Sequence, residues 1–282
     1  MTTIFKAKSQ NAYLVKILAE LLQNNIKTAC FAIDKNGIKL CQMDAHGTIL
    51  INVCLESEHF SIYKFKPKER LYIGLNLNHF HKMLRSIKKK DSVELYIKGD
   101  EPDDLGIKVI PRENNRITTS FIKIQKHQTL EISIPTGYGK PIIVPSSDYQ
   151  KMCKDMTHIG KIINIVAKNY HIQFKCNTGG ILKRYVEFGE MDDDSDGDSD
   201  NDEKSEEYDQ TFTTEQLSKI TKIAGLGGNM QIYAKPGKPL LFKSPIGSLG
   251  KISLYLKSKE DIEKDNERRL MESESDDDEY FR

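Results

Sequence analysis

The 282-residue sequence contains no tryptophan, only nine prolines and no run of apolar residues longer than five. A helix that crosses a bilayer needs about 20 predominantly apolar residues, so no membrane-spanning segment is expected. The N-terminus also lacks the apolar core and the cleavage site of a secretory signal peptide. These absences predict a soluble, intracellular protein.

Cysteine is also scarce. The five cysteines are odd in number and form no C-x-x-C pair, which is typical neither of a disulfide framework nor of a zinc site. They are Cys30, Cys41, Cys54, Cys153 and Cys176. Scattered thiols of this kind indicate core residues in a reducing compartment.

The motifs of common catalytic sites are absent too. The sequence has no G-x-S-x-G, no P-loop and no H-E-x-x-H. His79 and His81 are two positions apart on a predicted helix, so they point to different faces and make a poor pair of metal ligands. The sequence therefore predicts no enzyme, no cofactor and no resident metal.

Acidic residues concentrate in two segments. Residues 190–209 hold twelve acids and one lysine, and residues 260–282 hold eleven acids and four bases. Both segments are poor in apolar residues, so we expect them to be disordered. The other 239 residues carry 37 bases and 18 acids, a net charge of +19. This basic body makes a polyanion a leading candidate partner.

The first acidic segment contains the spacing D-x-D-x-D-G-x5-E of a calcium-binding loop, over residues 192–203. Such loops lie between two helices, whereas the preceding ILKRYVEF alternates like a strand. Ser199 also stands where an aliphatic residue is usual. A Ca²⁺-binding acidic interaction protein is therefore an alternative interpretation and not the main one.

A helical pattern of apolar residues occurs twice. The first set is Leu14, Ile17, Leu18 and Leu21, and the second, 135 positions later, is Tyr149, Met152, Cys153 and Met156. A pair of strands follows each helix, and a second helix (77–90 and 213–224) recurs at an offset of 137. We therefore predict an α+β fold with two repeated domains, 1–123 and 142–259, joined by a connector at 124–141.

The polar faces of these helices are rich in basic residues. They are Lys16 on the first helix, Lys82, Arg85, Lys88, Lys89 and Lys90 on the second, Lys151, Lys154 and His158 near 146–158, and Lys219 and Lys222 on the last. Lysine contacts phosphates through salt-sensitive attraction that carries no base information. Since no recognition helix or series of stacking aromatics accompanies them, we expect duplex contacts without sequence preference.

Several stretches resemble the proliferating cell nuclear antigen (PCNA) family of DNA sliding clamps. They are AIDKNGI (32–38), QMD (42–44), LESEHF with Tyr63 (55–60), Asn76-Leu77 through Lys82-Met83-Leu84, and CKDMTHIG (153–160). The last is the most specific, because it is similar to the family's C-[RK]-D-[LM]-[ST]-H-I-G. The resemblance covers about residues 4–259 without the acidic insert. It is weaker in the second half, as in clamps of large DNA viruses.

The resemblance implies a DNA-clamp fold in which three copies close into a ring, with helices inside and antiparallel sheets outside. Edge strands near 107–117 and 172–186 would pair between subunits. Such a ring is a DNA polymerase processivity factor that encircles double-stranded DNA and tethers polymerase, a clamp loader and other replication and repair proteins. It would work in a host nucleus or a cytoplasmic viral replication factory. A subunit of a heterotrimeric, checkpoint-type clamp is the alternative within the same fold.

The resemblance also implies two sets of site residues. The DNA-facing set is Lys16, Lys82, Arg85, Lys151, Lys154, His158 and Lys222. A groove beside the connector, which would bind short peptides with aliphatic and aromatic anchors, is lined by Met43, Leu50, Ile132, Ile134, Pro135, Pro239 and Tyr255. The acidic insert would then be a solvated loop on the outside of the ring.

Overall fold

The computed structural model describes residues 2–113, 116–126, 132–189 and 207–279, the last eight of them by their backbone alone. Within these ranges, none of the helices combines the length and the apolar composition that crossing a bilayer requires.

The first half of the chain begins with a strand and a helix and continues mainly with strands. Its elements are β1 (Thr3–Ser9), α1 (Ala12–Gln23), β2 (Thr28–Asp34), β3 (Gly37–Met43), β4 (Ile49–Glu56), a 3₁₀ turn (Ser57–His59), β5 (Ile62–Phe65), β6 (Leu71–Asn76), α2 (Leu77–Leu84), β7 (Ser92–Lys98), β8 (Asp104–Ile110) and β9 (Thr118–Lys123).

The second half repeats this order. Its elements are β10 (Ile142–Pro145), α3 (Ser146–Thr157), β11 (Ile162–Lys168), β12 (His171–Thr178), β13 (Leu182–Gly189), β14 (Tyr208–Thr213), α4 (Thr214–Lys219), a 3₁₀ turn (Thr221–Gly225), β15 (Asn229–Tyr233), β16 (Leu240–Pro245), β17 (Gly250–Leu256) and α5 (Lys259–Glu279). The predicted α+β repeat is thus confirmed.

The second helix of each half begins with the same device. The side chain of Asn76 accepts a hydrogen bond from the His79 N–H (3.1 Å), and that of Thr213 accepts one from the Gln216 N–H (3.1 Å). Asn76 and Thr213 are 137 positions apart, the offset at which the helices repeat. Each side chain satisfies a backbone donor that the first helical turn leaves unpaired, so both helices begin directly after a strand.

The strands form three antiparallel sheets. Their orders are β5-β1-β7-β8-β9, β10-β15-β16-β17-β4-β3-β2-β6 and β13-β12-β11-β14. The eight-stranded sheet joins the two halves, because β17 pairs with β4 from Gly250↔Leu55 to Leu256↔Ile49. A Cβ at Gly250 would lie 2.0 Å from the Cys54 carbonyl oxygen, so this close approach requires glycine.

The helices of the two halves form one layer. α1 packs against α2 on one side and against the 3₁₀ turn at 221–225 on the other, and α3 packs against the same turn and α4. The main apolar core lies between this layer and the sheets. Tyr149 of α3, for example, is fully buried with its ring 5.5 Å from that of Phe242. Fully burying a side chain of this size stabilises a fold by roughly 1.5–3 kcal/mol.

Two predicted helices are shorter than the sequence pattern indicated. The helix predicted at 77–90 ends at Leu84, and the Lys16 ammonium donates to the carbonyl oxygens of Arg85 (2.8 Å) and Ile87 (3.2 Å) just beyond it. Ile87 is buried, but in a turn. The helix predicted at 213–224 ends at Lys219 and is followed by a 3₁₀ turn. Residues 88–90 therefore belong to the loop before β7.

The predicted disorder was wrong for parts of both acidic segments. Tyr208 and Asp209 belong to β14, and Tyr208 is buried. Most of the C-terminal segment is α5, which begins where the Ser258 hydroxyl accepts from the Asp261 N–H (3.1 Å). Glu, Lys and Arg favour helix, and this local preference together with the N-terminal cap outweighs the low apolar content. Residues 190–206 of the predicted insert and 280–282 of the predicted tail lie outside the described residues.

The edge strands also differ from the prediction. Residues 107–117 include the end of β8, which is an inner strand, and residues 172–186 include most of β12, also inner. Next to these inner strands, β9 (Thr118–Lys123) and β13 (Leu182–Gly189) each end a sheet, as β5, β6, β10 and β14 do elsewhere. The range 107–117 was therefore wrong, whereas the range 172–186 includes the first five residues of the edge strand β13. Alternating apolar residues mark a strand without indicating how many neighbours it has.

Candidate nucleic-acid interface and partner groove

All seven residues of the predicted DNA-facing set lie in the helical layer, on a helix or just after one. Four of them present free positive or titratable groups, namely Lys82, Arg85, Lys154 and His158. All four are exposed, and none of the ion pairs between described residues involves their side chains. Lys82 and Arg85 lie at the end of α2, and Lys154 and His158 at the end of α3. Within the predicted set, these two helix ends therefore carry the basic side chains that are available to an anionic ligand.

The other three predicted residues are held by contacts within the chain. Lys16 is half-buried, because it donates to the two carbonyl oxygens that follow α2. Lys222 forms an ion pair with Glu20 of α1 at 2.7 Å, and Lys151 forms one with Asp148 of α3 at 3.2 Å. A side chain engaged in this way offers less to a phosphate, since the existing contact has to be broken or shared. The sequence pattern alone did not reveal these partners.

Three of the predicted groove residues, Met43, Leu50 and Tyr255, lie on the face of the eight-stranded sheet opposite the main core. Neighbouring strands bring five side chains into one row, through the register pairs Met43↔Leu50, Leu50↔Tyr255, Tyr255↔Leu241 and Leu241↔Tyr233. Leu50, Leu241 and Tyr255 are buried there in an apolar cluster separate from the main core, with Met43 and Ile132 packed against it. The row crosses the β17–β4 junction, so both halves of the chain build it.

The connector lies against one side of this row. Tyr138 donates its hydroxyl to the Pro239 carbonyl oxygen (2.8 Å), and its ring lies 6.1 Å from that of Tyr233 and 6.2 Å from that of Tyr255. Burial raises the pKa of both the Tyr138 and the Tyr255 phenols, so these rings stay neutral at neutral pH. Ile134 of the connector, by contrast, is 39% exposed. The row thus forms an apolar floor, and Ile132 and Tyr138 of the connector pack against it.

Sequence reasoning predicted seven groove residues, of which Met43, Leu50, Ile132 and Tyr255 belong to this apolar cluster, and it left out three further members of the cluster. Of the others, Pro135 and Pro239 are half-buried, and the Pro239 carbonyl oxygen accepts from Tyr138. The missed residues are Leu241, Tyr233 and Tyr138. A usable signal was the consecutive pair Leu240-Leu241, because neighbouring residues of a strand point to opposite faces and an apolar pair therefore indicates that both faces are covered.

The two edge strands β9 and β13 expose apolar side chains. Phe121 on β9 is 51% exposed, and Leu182 and Tyr185 on β13 are 54% and 56% exposed. An edge strand offers unpaired backbone N–H and C=O groups, and apolar side chains beside them favour pairing with a further strand. These are features of a surface that another chain covers.

Two sets of residues resemble metal ligands, although the sequence predicts no metal. The calcium-like spacing at 192–203 lies outside the described residues. The segment before it is β13 and not a helix, which agrees with the expectation from the sequence. Among the described residues, the side chains of Glu56, Glu58 and His59 approach one another at the surface, as exposed acidic groups commonly do without a metal.

Known proteins share this architecture and about a quarter of this sequence. A family model described as "Proliferating cell nuclear antigen, N-terminal domain" matches residues 4–131, and its C-terminal counterpart matches residues 133–259. The chain is 24% identical over 255 residues to the "Probable DNA polymerase sliding clamp 1" of Paramecium bursaria Chlorella virus 1, covering 90% of this chain and 96% of that protein.

Two further matches come from cellular organisms. The chain is 26% identical over 258 residues to the proliferating cell nuclear antigen of Dictyostelium discoideum, covering 91% of this chain and 99% of that protein. The crystal structure of proliferating cellular nuclear antigen from Entamoeba histolytica superposes with a TM-score of 0.77 at 20% identity, covering 92% of this chain and 100% of that one. This structural match supports the fold.

Proposed function

The chain belongs to the proliferating cell nuclear antigen family of DNA sliding clamps, and we propose on that premise that three copies close into a ring around duplex DNA. A sliding clamp is a processivity factor for DNA polymerase, and this is the function of the chain. The proposal extends to the assembly, the DNA-facing residues and the groove for partners.

One observation carries the proposal of a ring. Within the chain, β17 of the second half pairs with β4 of the first half. By the internal repeat, the equivalents of these strands are β9 and β13, and each of them ends a sheet with a strand neighbour on one side only. The junction that joins the halves therefore supplies a template for joining β9 of one copy to β13 of the next. Such head-to-tail contacts close into a ring when the rotation allows it.

The ring explains why weak DNA contacts suffice. Duplex DNA cannot leave a closed ring sideways, so its retention does not require tight binding. Exposed cations that attract phosphates without reading bases then let the ring move along the duplex. We assign this role mainly to Lys82, Arg85, Lys154 and His158, and a smaller share to Lys16, Lys151 and Lys222, because those three already have partners within the chain.

The groove would bind the proteins that the clamp tethers. An apolar row bounded by the connector fits a short peptide that inserts aliphatic and aromatic side chains from a single helical turn. Peptides of this kind on DNA polymerase, a clamp loader and other replication proteins are the proposed ligands. The groove crosses the β17–β4 junction and faces away from the helices, so a bound partner would not meet the DNA.

Topological trapping on DNA tests the ring. The purified protein is allowed to thread onto a linear duplex tethered at one end, and the free end is then blocked with streptavidin. We expect the protein to withstand a high-salt wash on blocked DNA and to leave open DNA, with a solution mass of three chains. A single-chain mass at every concentration would refute the ring, and rings that form only with foreign subunits would favour a checkpoint-type clamp.

A charge series tests the DNA-facing assignment. The triple variant Lys82→Ala, Arg85→Ala, Lys154→Ala should keep its solution mass but bind DNA with a shallower dependence on salt. The slope of log K against log salt should fall by about 0.9 for each phosphate that the variant no longer neutralises. Replacing Lys64, Lys66 and Lys68 with alanine, at the far edge of the five-stranded sheet, is the matched control. An equal weakening in both variants would show that only overall charge matters.

A further inference from the structure

Three lysines lie at the Tyr233 end of the apolar row in the groove. Lys235 and Lys238 belong to the turn between β15 and β16, and Lys243 belongs to β16, two residues after Leu241. Alternate residues of a strand share a face, so Lys243 lies on the same face of the sheet as Leu241 and its register partner Tyr233. These three residues are the lysine cluster.

The aromatic rings of the groove hold two of these lysines close together. The Lys243 ammonium lies 4.6 Å from the centre of the Tyr233 ring. The Lys238 ammonium lies 5.5 Å from the centre of the Tyr138 ring. The two rings are themselves packed edge to face, with their centres 6.1 Å apart. Because an aromatic ring face attracts a cation, the paired rings hold both ammonium groups at this end of the groove.

A carbonyl oxygen of the connector brings the third lysine into the cluster. The Gly137 carbonyl accepts from the Lys235 ammonium (2.8 Å) and from the Lys238 ammonium (3.3 Å). Lys238 also donates to the Thr136 carbonyl oxygen. Carbonyl oxygens orient an ammonium group without cancelling its charge, and each ammonium has three N–H donors. Two like charges on one oxygen therefore leave both donors and positive charge for an anion.

The segments around the lysine cluster contain no acid that neutralises it. Neither residues 132–147 nor residues 216–259 include an Asp or a Glu. None of the ion pairs between described residues involves the three lysines. Of the described acids that border these segments, Asp148 and Glu215 each pair with a lysine of their own helix, and Glu260 accepts from a backbone N–H of β14 (3.2 Å). The positive charge of the cluster is therefore uncompensated within the described part of the chain.

The opposite end of the apolar row has a different charge. There Met43 is followed by Asp44, whose carboxylate accepts from the Thr48 N–H (2.6 Å) and so closes its own loop. The Arg269 guanidinium of α5 lies beside Gly47 of the same loop. This end of the row thus carries charges of both signs, whereas the end at the lysine cluster carries positive charge. A peptide that lies along the row therefore meets unlike surroundings at its two ends.

We propose that the lysine cluster binds an acidic flank of partner peptides, next to the aliphatic and aromatic anchors that occupy the apolar row. The inference rests on the proposed partner groove and adds the chemistry of the peptide's flank. Carboxylates there accept hydrogen bonds from the remaining ammonium N–H groups and neutralise the clustered charge, whereas a basic flank is repelled. Since the lysines lie at one end of the row, only one of the two flanks of a bound peptide reaches them.

The test measures labelled synthetic peptides on the full-length chain by fluorescence polarisation, in low-salt and high-salt NaCl buffers. All peptides share one aliphatic and two aromatic anchors. Their flanks are neutral (Asn) on both sides, acidic (Asp) on the N-terminal or the C-terminal side alone, or basic (Lys) on one side. The variant Lys243→Glu changes the cluster without removing a hydrogen bond to the connector. Lys251→Glu, at the exposed start of β17 on the same face of the sheet, is the matched control.

We expect aspartates on one flank to raise the affinity about tenfold in low salt and less than about threefold in high salt, since several weak, screened charge pairs act together. Aspartates on the other flank should change the affinity less than about twofold. Lys243→Glu should lower the gain to about threefold or less and should bind the neutral peptide like the wild type. It should also discriminate less against the lysine flank. Lys251→Glu should keep every wild-type preference.

Four outcomes would overturn the inference. Equal affinities for the neutral and the acidic peptides would remove the role of the cluster while leaving the groove intact. Equal gains on both flanks, or equal losses in Lys243→Glu and Lys251→Glu, would show that only overall charge matters. A Lys243→Glu variant that binds duplex DNA more weakly but keeps its affinity for the acidic peptide would assign the cluster to DNA. A wild-type chain that binds no peptide, the neutral one included, would remove the groove and the inference together.

Discussion

The β17–β4 junction and the β9 and β13 edges are equivalent in the internal repeat, but one is buried and the others are bare. At the junction, Ile51 and Leu254 face each other in register and are fully buried. At the edges, Phe121 and Tyr185 are more than half exposed. The same kind of strand thus serves as core in one place and as surface in the other.

The comparison shows how the same structural repeat can provide strand pairing within one chain and strand edges for pairing between chains. Because the chain contains two copies of the repeat, one junction, β17 with β4, forms within it. The equivalent strands β9 and β13 each remain at a sheet edge. The open ends cost little in the single chain, because their backbone groups are hydrated, but they remain ready to pair. Joining within the chain contributes to folding stability, whereas joining between chains contributes to association.

The four-stranded sheet has β13 at one edge and β14 at the other, and the β14 edge is covered by another element of the chain. β14 ends that sheet, and α5 lies against it. The Glu260 carboxylate accepts from the edge N–H of Thr211 (3.2 Å). Both family models end by residue 259, so this cover lies in the C-terminal extension of the chain. One edge of the sheet is therefore closed by its own chain, and the other is left for a neighbour.

Breaking the junction should have the largest effect. Ile51→Ala removes buried methyl groups from the interior of the eight-stranded sheet and should destabilise folding by about 2–5 kcal/mol. Urea unfolding at low protein concentration, where association does not contribute, measures this destabilisation. An unfolding midpoint within experimental error of the wild type would show that the junction does not hold the two halves together.

Breaking an edge should weaken association and spare the fold. Tyr185→Asp places a charge in the interface proposed for β13, and removing a central aromatic side chain from an interface costs about 2 kcal/mol or more. The trimer dissociation constant should rise by at least about thirtyfold, with the monomer's urea midpoint unchanged. Tyr72→Asp changes a tyrosine on β6 that is 49% exposed and is the control. Similar weakening in both variants would contradict a specific edge contact.

The outer face of the junction can be tested separately from its inner face. Ile134→Ser, in the connector beside the proposed groove, should lower the affinity for a labelled peptide with one aliphatic and two aromatic anchors by about fivefold, since it removes roughly 1 kcal/mol of apolar contact. Fluorescence polarisation measures the affinity. Ile143→Ser, on β10 and 51% exposed, is the control. Equal peptide affinity for Ile134→Ser and wild type would move the binding site elsewhere.

Weakening the contact between α5 and β14 should have a smaller, local effect. Glu260→Ala leaves the Thr211 N–H without its acceptor and should loosen the start of α5 by about 1 kcal/mol. Hydrogen exchange at the Thr211 amide should quicken about fivefold, while exchange in β11 stays as it is. Glu263→Ala, one turn further along α5, provides the comparison. Unchanged exchange at Thr211 would mean that α5 does not protect this edge.

Low pH should detach α5 from β14. The hydrogen bond from Lys257 holds the pKa of the Asp265 carboxyl below its ordinary value of 3.8. A lowered pKa stabilises the docked helix above the ordinary value, and that contribution disappears as pH falls through the lower, folded-state pKa. Proteolytic sensitivity of α5 should therefore rise below about pH 4. The variant Asp265→Asn should show less of this pH dependence.

Much of this structure was predictable from local patterns. The stripes at Leu14–Leu21 and Tyr149–Met156 indicated both long helices, because helical spacing is a property of consecutive residues. The pair of strands that follows each of these helices was equally local. The limits of α2 were not, since its end depends on Lys16, 69 positions away from the carbonyl of Arg85. For the same reason, the sequence did not reveal that Lys222 is paired with Glu20.

The sequence by itself determined the repeat, the basic body with its two acidic segments, and the family, because each depends on composition or on the order of residues along the chain. Only the tertiary structure decided which strands end the sheets and which lysines are already paired. Those facts depend on residues far apart in the chain, and strand neighbours and ion-pair distances are fixed only when the sheets assemble.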